Sequence, residues 1–180
     1  RPLGLNHGNN PLQQPEGMHG PLFPILLAIT FAAAGPKELL LPIMSGLFYL
    51  LTIPVLYRLA VKVFNRAVGL VTALIFTFSA LILEYADSGL DNTLYVFLTT
   101  LLLLMMYNIA VKAREYEAAE HGRVPSGQLV LAGILLALLY STDFIFLWVY
   151  PMITFAVIWL SPNKRLQSTL KFLVPLILLT

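Results

Sequence analysis

The run from Leu39 to Phe64 leaves few folds open. Its only charged side chains, Arg58 and Lys62, fall near its end. At about 1.5 Å of rise per residue, a helix over this run is long enough to cross the ~30 Å hydrocarbon core of a bilayer. Runs of the same character follow at Val68 to Leu83, Leu94 to Val111 and Phe144 to Leu160. With 58% hydrophobic residues, 11% charged residues and a mean hydropathy of +0.81, the chain has too little polar surface to cover a soluble globule. The expected fold is all-α, a polytopic integral membrane helical bundle. A net charge of +2, carried in short clusters, gives no case for nucleic acid as a partner. The absence of cysteine excludes disulfides and thiolate metal sites.

Before the first full run, Arg1 to Gly20 is dense in Gly, Pro and Asn, which break regular structure, and reads as an outer loop. Pro21 to Ala34 is apolar but too short for a crossing and is closed by Gly35-Pro36. It reads as an interfacial or re-entrant helix over 21–35, with a short tilted span as the other possibility. Pro54 removes one backbone donor within the Leu39 to Phe64 run and is expected to kink it. The membrane domain over 39–180 is then expected to hold helices at about 39–64, 68–84, 92–112, 128–141, 143–160 and 169–180. Glu115, Glu117, Glu120 and Arg123 read as a solvated helical face. The sequence begins at Arg1 and ends inside an apolar run, so it reads as a stretch of a longer membrane protein.

Orientation follows from the basic residues. Arg58, Lys62 and Arg66, at spacings of four, are expected on one helical face at the membrane surface. If they are cytoplasmic, alternating crossings also place Lys112 to Arg123 and Lys164 to Lys171 inside. The segment Glu84 to Thr93 then lies on the non-cytoplasmic face, together with Glu16, His19 and Asp143.

That segment, between two apolar runs, holds Glu84, Asp87 and Asp91 with no Lys or Arg beside them. Acidic groups at the mouth of a hydrophobic hairpin are costly unless water, a metal or a substrate meets them, which makes them site candidates. Asp91 is placed to cap the helix that opens after it, with Asn92 and Thr93 in the first turn. Capping and chemistry are compatible there, since a capping carboxylate can also hold a divalent metal, with Asp87 as the second candidate ligand. His19 is a candidate metal ligand, proton shuttle or hydrogen-bond donor to phosphate. Glu16 and Asp143 are secondary candidates.

The order of features resembles a known family. His19-Gly20-Pro21-Leu22-Phe23, a short helix closed by Gly35, a span ending Leu56-Tyr57-Arg58-Leu59-Ala60 and Val63-Phe64-Asn65-Arg66, a span leading to Asp91, and Gly133 to Thr142 before another span are similar to the membrane glycosyltransferases of the C-type fold. The protein O-mannosyltransferase and aminoarabinose transferase branch resembles it most. The resemblance implies a polyprenyl-phosphate sugar donor, transfer to an acceptor hydroxyl, and a substrate site built from His19, Asp91 and Asp87. In that family a proline is usual where this chain has Gly20, and Lys or Arg often stands where it has Asp143. The family's catalytic acid lies earlier in the first outer loop, so the main base is expected before Arg1, with Glu16 as the only acidic residue in that loop here.

Stabilising a departing lipid phosphate calls for cations, and none is near Asp87 to Asp91, so a divalent ion or a cation from elsewhere in the protein is implied. A second reading is a noncatalytic subunit that keeps the fold and serves assembly of a larger membrane complex. A transporter is disfavoured, because the acidic residues cluster at one face instead of near the midplane.

Overall fold

A computed structural model describes residues 20–89, 91–118, 126–142, 149–159 and 169–174. These form the expected all-α membrane bundle. The helices are α1 (Leu22–Ala34), α2 (Leu40–Val63), α3 (Arg66–Thr77), α4 (Ala80–Ser88), α5 (Asn92–Ala118), α6 (Ser126–Thr142) and α7 (Val149–Trp159), with no strand among the described residues. Residues 169–174 are also helical. Leu40–Val63 and Asn92–Ala113 are each long and apolar enough to span a bilayer. Of the apolar window in α2 only 17% is buried, and Ile43, Leu47, Leu50 and Leu51 point outward. In water such a surface would be untenable, whereas in lipid it is the solvent-matched face.

The core lies where α5 and α6 meet. Leu94, Leu98, Leu102 and Ile109 recur at helical spacing on α5, as do Leu129, Ala132, Leu136 and Leu139 on α6. Phe23 of α1 and Phe172 join the same cluster. Between lipid-immersed helices there is little hydrophobic driving force, so close packing of these side chains carries the association.

Several boundaries differ from the sequence expectation, each for a local reason. The helix of Arg58 and Lys62 ends at Val63, and Asn65 opens a new one by accepting a hydrogen bond from the Val68 N–H at 2.9 Å. Arg66 therefore starts α3 and does not share a helical face with Arg58 and Lys62. The crossing expected at 68–84 is two helices, α3 and α4, bent by 53° at a short break. The helix expected to end at 84 runs on to Ser88, so α4 carries Asp87 as well as Glu84. α5 continues past the expected end at 112 to Ala118. Pro54 lies inside α2, within the single run expected over 39–64.

Candidate functional site

Four contacts fix which ends of the helices meet. Gly89 lies against Leu41 at the start of α2. The Phe48 and Phe97 rings pack with centroids 5.9 Å apart. At the far end, Lys62 Nζ donates to Asn108 Oδ1 at 2.6 Å, and the Tyr107 hydroxyl donates to the Lys62 carbonyl at 2.6 Å. α2 and α5 thus run in the same direction, with α3 and α4 returning between them. Glu84, Asp87 and Asp91 sit at one end of the bundle, and Arg58, Lys62, Arg66 and Lys112 at the other. Lys37 and Glu38, just before α2, also lie at the first end, and Glu115 and Glu117, in the last turns of α5, lie at the second.

At the acidic end, Gly89 ends α4 in the left-handed conformation, φ 70°. This turn costs a glycine little and any other residue about 1 kcal/mol or more. A Cβ there would also come within 2.8 Å of the Leu41 Cβ. Two residues later the Asp91 carbonyl accepts the first hydrogen bond of α5, from the Tyr95 N–H at 3.0 Å, which makes Asp91 the N-cap residue of a 27-residue helix. Its side chain is half-buried, whereas Asp87 and Glu84 on α4 are exposed. Gly89→Ala should therefore destabilise the fold by about 1–3 kcal/mol, read as a lower thermal midpoint of the solubilised protein.

Behind Asp91 a small pocket opens between α2, α3, α4 and α5, lined by Tyr49, Thr52, Phe76, Tyr85, Asn92 and Thr93 among others. The Thr93 hydroxyl is buried with no hydrogen-bond partner. Buried hydroxyls are normally paired, so the first turn of α5 presents an unsatisfied polar group as well as a carboxylate.

A second junction belongs to the same core. The Gly20 N–H donates to the Thr142 carbonyl at 2.8 Å. A Cβ at Gly20 would overlap the Ser141 carbonyl and come within 3.0 Å of the Thr142 nitrogen. One turn further on, Phe23 shares a hydrophobic cluster with Leu94 and Leu98 from the first turns of α5, and with Leu136 and Leu139 from the last turns of α6. The glycine that departs from the family's usual proline thus has a reason in this chain. Proline would bring both a clashing ring and no N–H to donate.

Of the residues singled out from sequence, Asp87 and Asp91 lie at the acidic end as described. Glu16, His19 and Asp143 lie outside the described residues, although His19 and Asp143 are next in sequence to Gly20 and Thr142. Among the described residues no group of three or more His, Asp or Glu side chains comes together that could hold a metal ion. A divalent ion at Asp87 and Asp91 would need further ligands from residues outside that set. The sequence reading did not find the Gly20–Thr142 junction, the Gly89–Leu41 contact or the buried Thr93 hydroxyl. A glycine at 89 is the signal that could have marked the end of α4, whereas the other two depend on elements distant in sequence.

No curated protein and no solved structure matches the chain. A family model described as dolichyl-phosphate-mannose-protein mannosyltransferase matches residues 18–180, from the junction at Gly20 through every helix described above. A membrane-embedded all-α bundle, and that match over nearly its whole length, place the chain in one class: it belongs to the dolichyl-phosphate-mannose-protein mannosyltransferase family of membrane glycosyltransferases.

Proposed function

We propose that this chain forms part of the substrate site of a glycosyltransferase that moves mannose from a polyprenyl-phosphate carrier to an acceptor hydroxyl. The acidic end faces the non-cytoplasmic side. The observation that carries the reading is the half-buried Asp91 at the N-terminus of α5, at the end of the bundle opposite Arg58, Lys62, Arg66 and Lys112. The excess of Lys and Arg at the other end supports a cytoplasmic location for that end. It also supports the division into an outer loop over 1–20, an interfacial helix over 21–35 and crossings from residue 39 onward.

In the proposed reaction a general base takes the proton of the acceptor hydroxyl. The acceptor oxygen then bonds to the anomeric carbon as the bond to the phosphate oxygen breaks, and the lipid phosphate leaves with the electron pair. Positive charge grows on the anomeric carbon in between. Asp91 is suited to accept a hydrogen bond from the transferred sugar and to offset that charge. His19, one residue before the anchored Gly20, is suited to donate to the phosphate, with Asp87 at the rim. The base itself is assigned to no described residue.

The test is donor choice. In bilayers, the full-length protein should release label from polyprenyl-phosphate [14C]mannose onto a hydroxyl acceptor and should not use a nucleotide-linked mannose. Transfer from the nucleotide sugar alone would contradict the proposal.

A further inference from the structure

The break between α3 and α4 is closed by a side chain from another helix. In one continuous helix over 66–88, the Thr77 carbonyl would accept from the N–H four residues on, at Leu81. Here α4 restarts at Ala80, with Ser79 extended at φ −69° and ψ 115° and making no side-chain cap. The Leu74 and Phe76 carbonyls find donors nearby, in the N–H groups of Phe78 at 3.0 Å and Ser79 at 3.3 Å. The Thr77 carbonyl instead accepts from the Tyr49 hydroxyl of α2 at 2.7 Å. The Tyr49 ring is only 8% exposed and stacks on Phe76, with centroids 5.7 Å apart and planes inclined by 20°. Away from water, a carbonyl released from its helix must find another donor, and a broken span is tolerated where one exists.

The geometry points to Tyr49 as a positioning residue: its hydroxyl latches the α3–α4 break and so sets where the acidic end stands. The inference rests on the reading of that end as the substrate site. α4 has 9 residues, so it rises about 13 Å. Undoing the 53° bend would carry its far end roughly 12 Å, taking Asp87 and the Gly89–Leu41 contact with it. The pocket behind Asp91 is lined by Tyr49 and Phe76 on one side of the break and by Tyr85 on the other, so it too exists only in the bent state. Without the hydroxyl, the Thr77 carbonyl has its best remaining partner in the Leu81 N–H, which favours straightening.

Tyr49→Phe isolates the hydroxyl, because the ring and its stack on Phe76 remain. Spin labels at Arg58 and Ser88, both exposed, report the position of the end of α4 against α2 in the full-length protein in bilayers. Tyr49→Phe should shift or broaden that distance by about 5 Å or more and lower mannose transfer at least tenfold in kcat.

The discriminating variant is Ala80→Pro. Position 80 is the first residue of α4, the helical position proline suits best, and the extended Ser79 before it is the conformation a following proline requires. In a straight helix the same proline would be disruptive. Ala80→Pro alone should leave the distance unchanged, and in the double variant with Tyr49→Phe it should restore both the distance and the transfer rate. An unchanged distance in Tyr49→Phe, or a double variant that remains displaced and inactive, would overturn the latch. The distance needs no substrate. A shift that Ala80→Pro reverses, in a protein that transfers no mannose, would uphold the latch and remove the proposed reaction.

Discussion

Replacing Gly20 with alanine is expected to lower sugar transfer by about a hundredfold or more in a protein that still inserts in the membrane. The added methyl would overlap the Ser141 carbonyl. That neighbour is backbone at the end of α6, which cannot turn aside as a flexible side chain could. To relieve the overlap, Gly20 must move off α6 and lose its 2.8 Å hydrogen bond to Thr142. Such a bond contributes only about 1 kcal/mol, so insertion and folding survive. Catalysis is less tolerant, since a displacement of about 1 Å in a positioning element can cost 10²-fold. Initial transfer rates and the thermal midpoint, measured on the same preparation, check both halves of this expectation. A rate close to that of the parent protein would mean that the end of the first loop has no part in the site.

Much of the architecture was legible because membrane helices announce themselves by length and lack of charge. The runs beginning at Leu39 and Leu94 correspond to α2 and α5 because in lipid nothing but a helix satisfies so long an uncharged backbone. The acidic cluster was visible for the complementary reason, since three carboxylates between apolar runs are conspicuous. What the residues did not reveal was how that cluster is held. Phe78-Ser79 contains neither proline nor glycine, so nothing local marks it as a break. The bend depends on Tyr49, about thirty residues earlier, whose hydroxyl has no signature that separates it from any other membrane tyrosine. The same limit applies to Gly20. Set against the family's usual proline it looked like a defect, and its purpose is seen only once the end of α6 stands beside it. Arg66 illustrates the opposite error. A spacing of four from Lys62 suggested one helical face, but Asn65 is a better cap than a helix interior residue, and the chain turns there.

Asp91 is the residue on which the account depends, and its position permits a clean separation of two roles. As the N-cap of α5 it contributes to stability through geometry and through the favourable placement of negative charge at a helix N-terminus. Asparagine caps a helix about as well as aspartate, while alanine costs about 1 kcal/mol. Loss of the charge at that end costs a further 0.3–1 kcal/mol or so. Asp91→Asn should therefore remain folded and inserted, within about 1 kcal/mol of the parent, and Asp91→Ala should be somewhat less stable. If the carboxylate offsets charge in the transition state, removing it should lower kcat by roughly 10²–10³-fold in both variants, regardless of their difference in stability. The decisive measurement is the rate of transfer from polyprenyl-phosphate mannose by Asp91→Asn, alongside its thermal midpoint. The account predicts a nearly unchanged midpoint with transfer all but abolished. Transfer at the parent rate would show that Asp91 is a helix cap and nothing more.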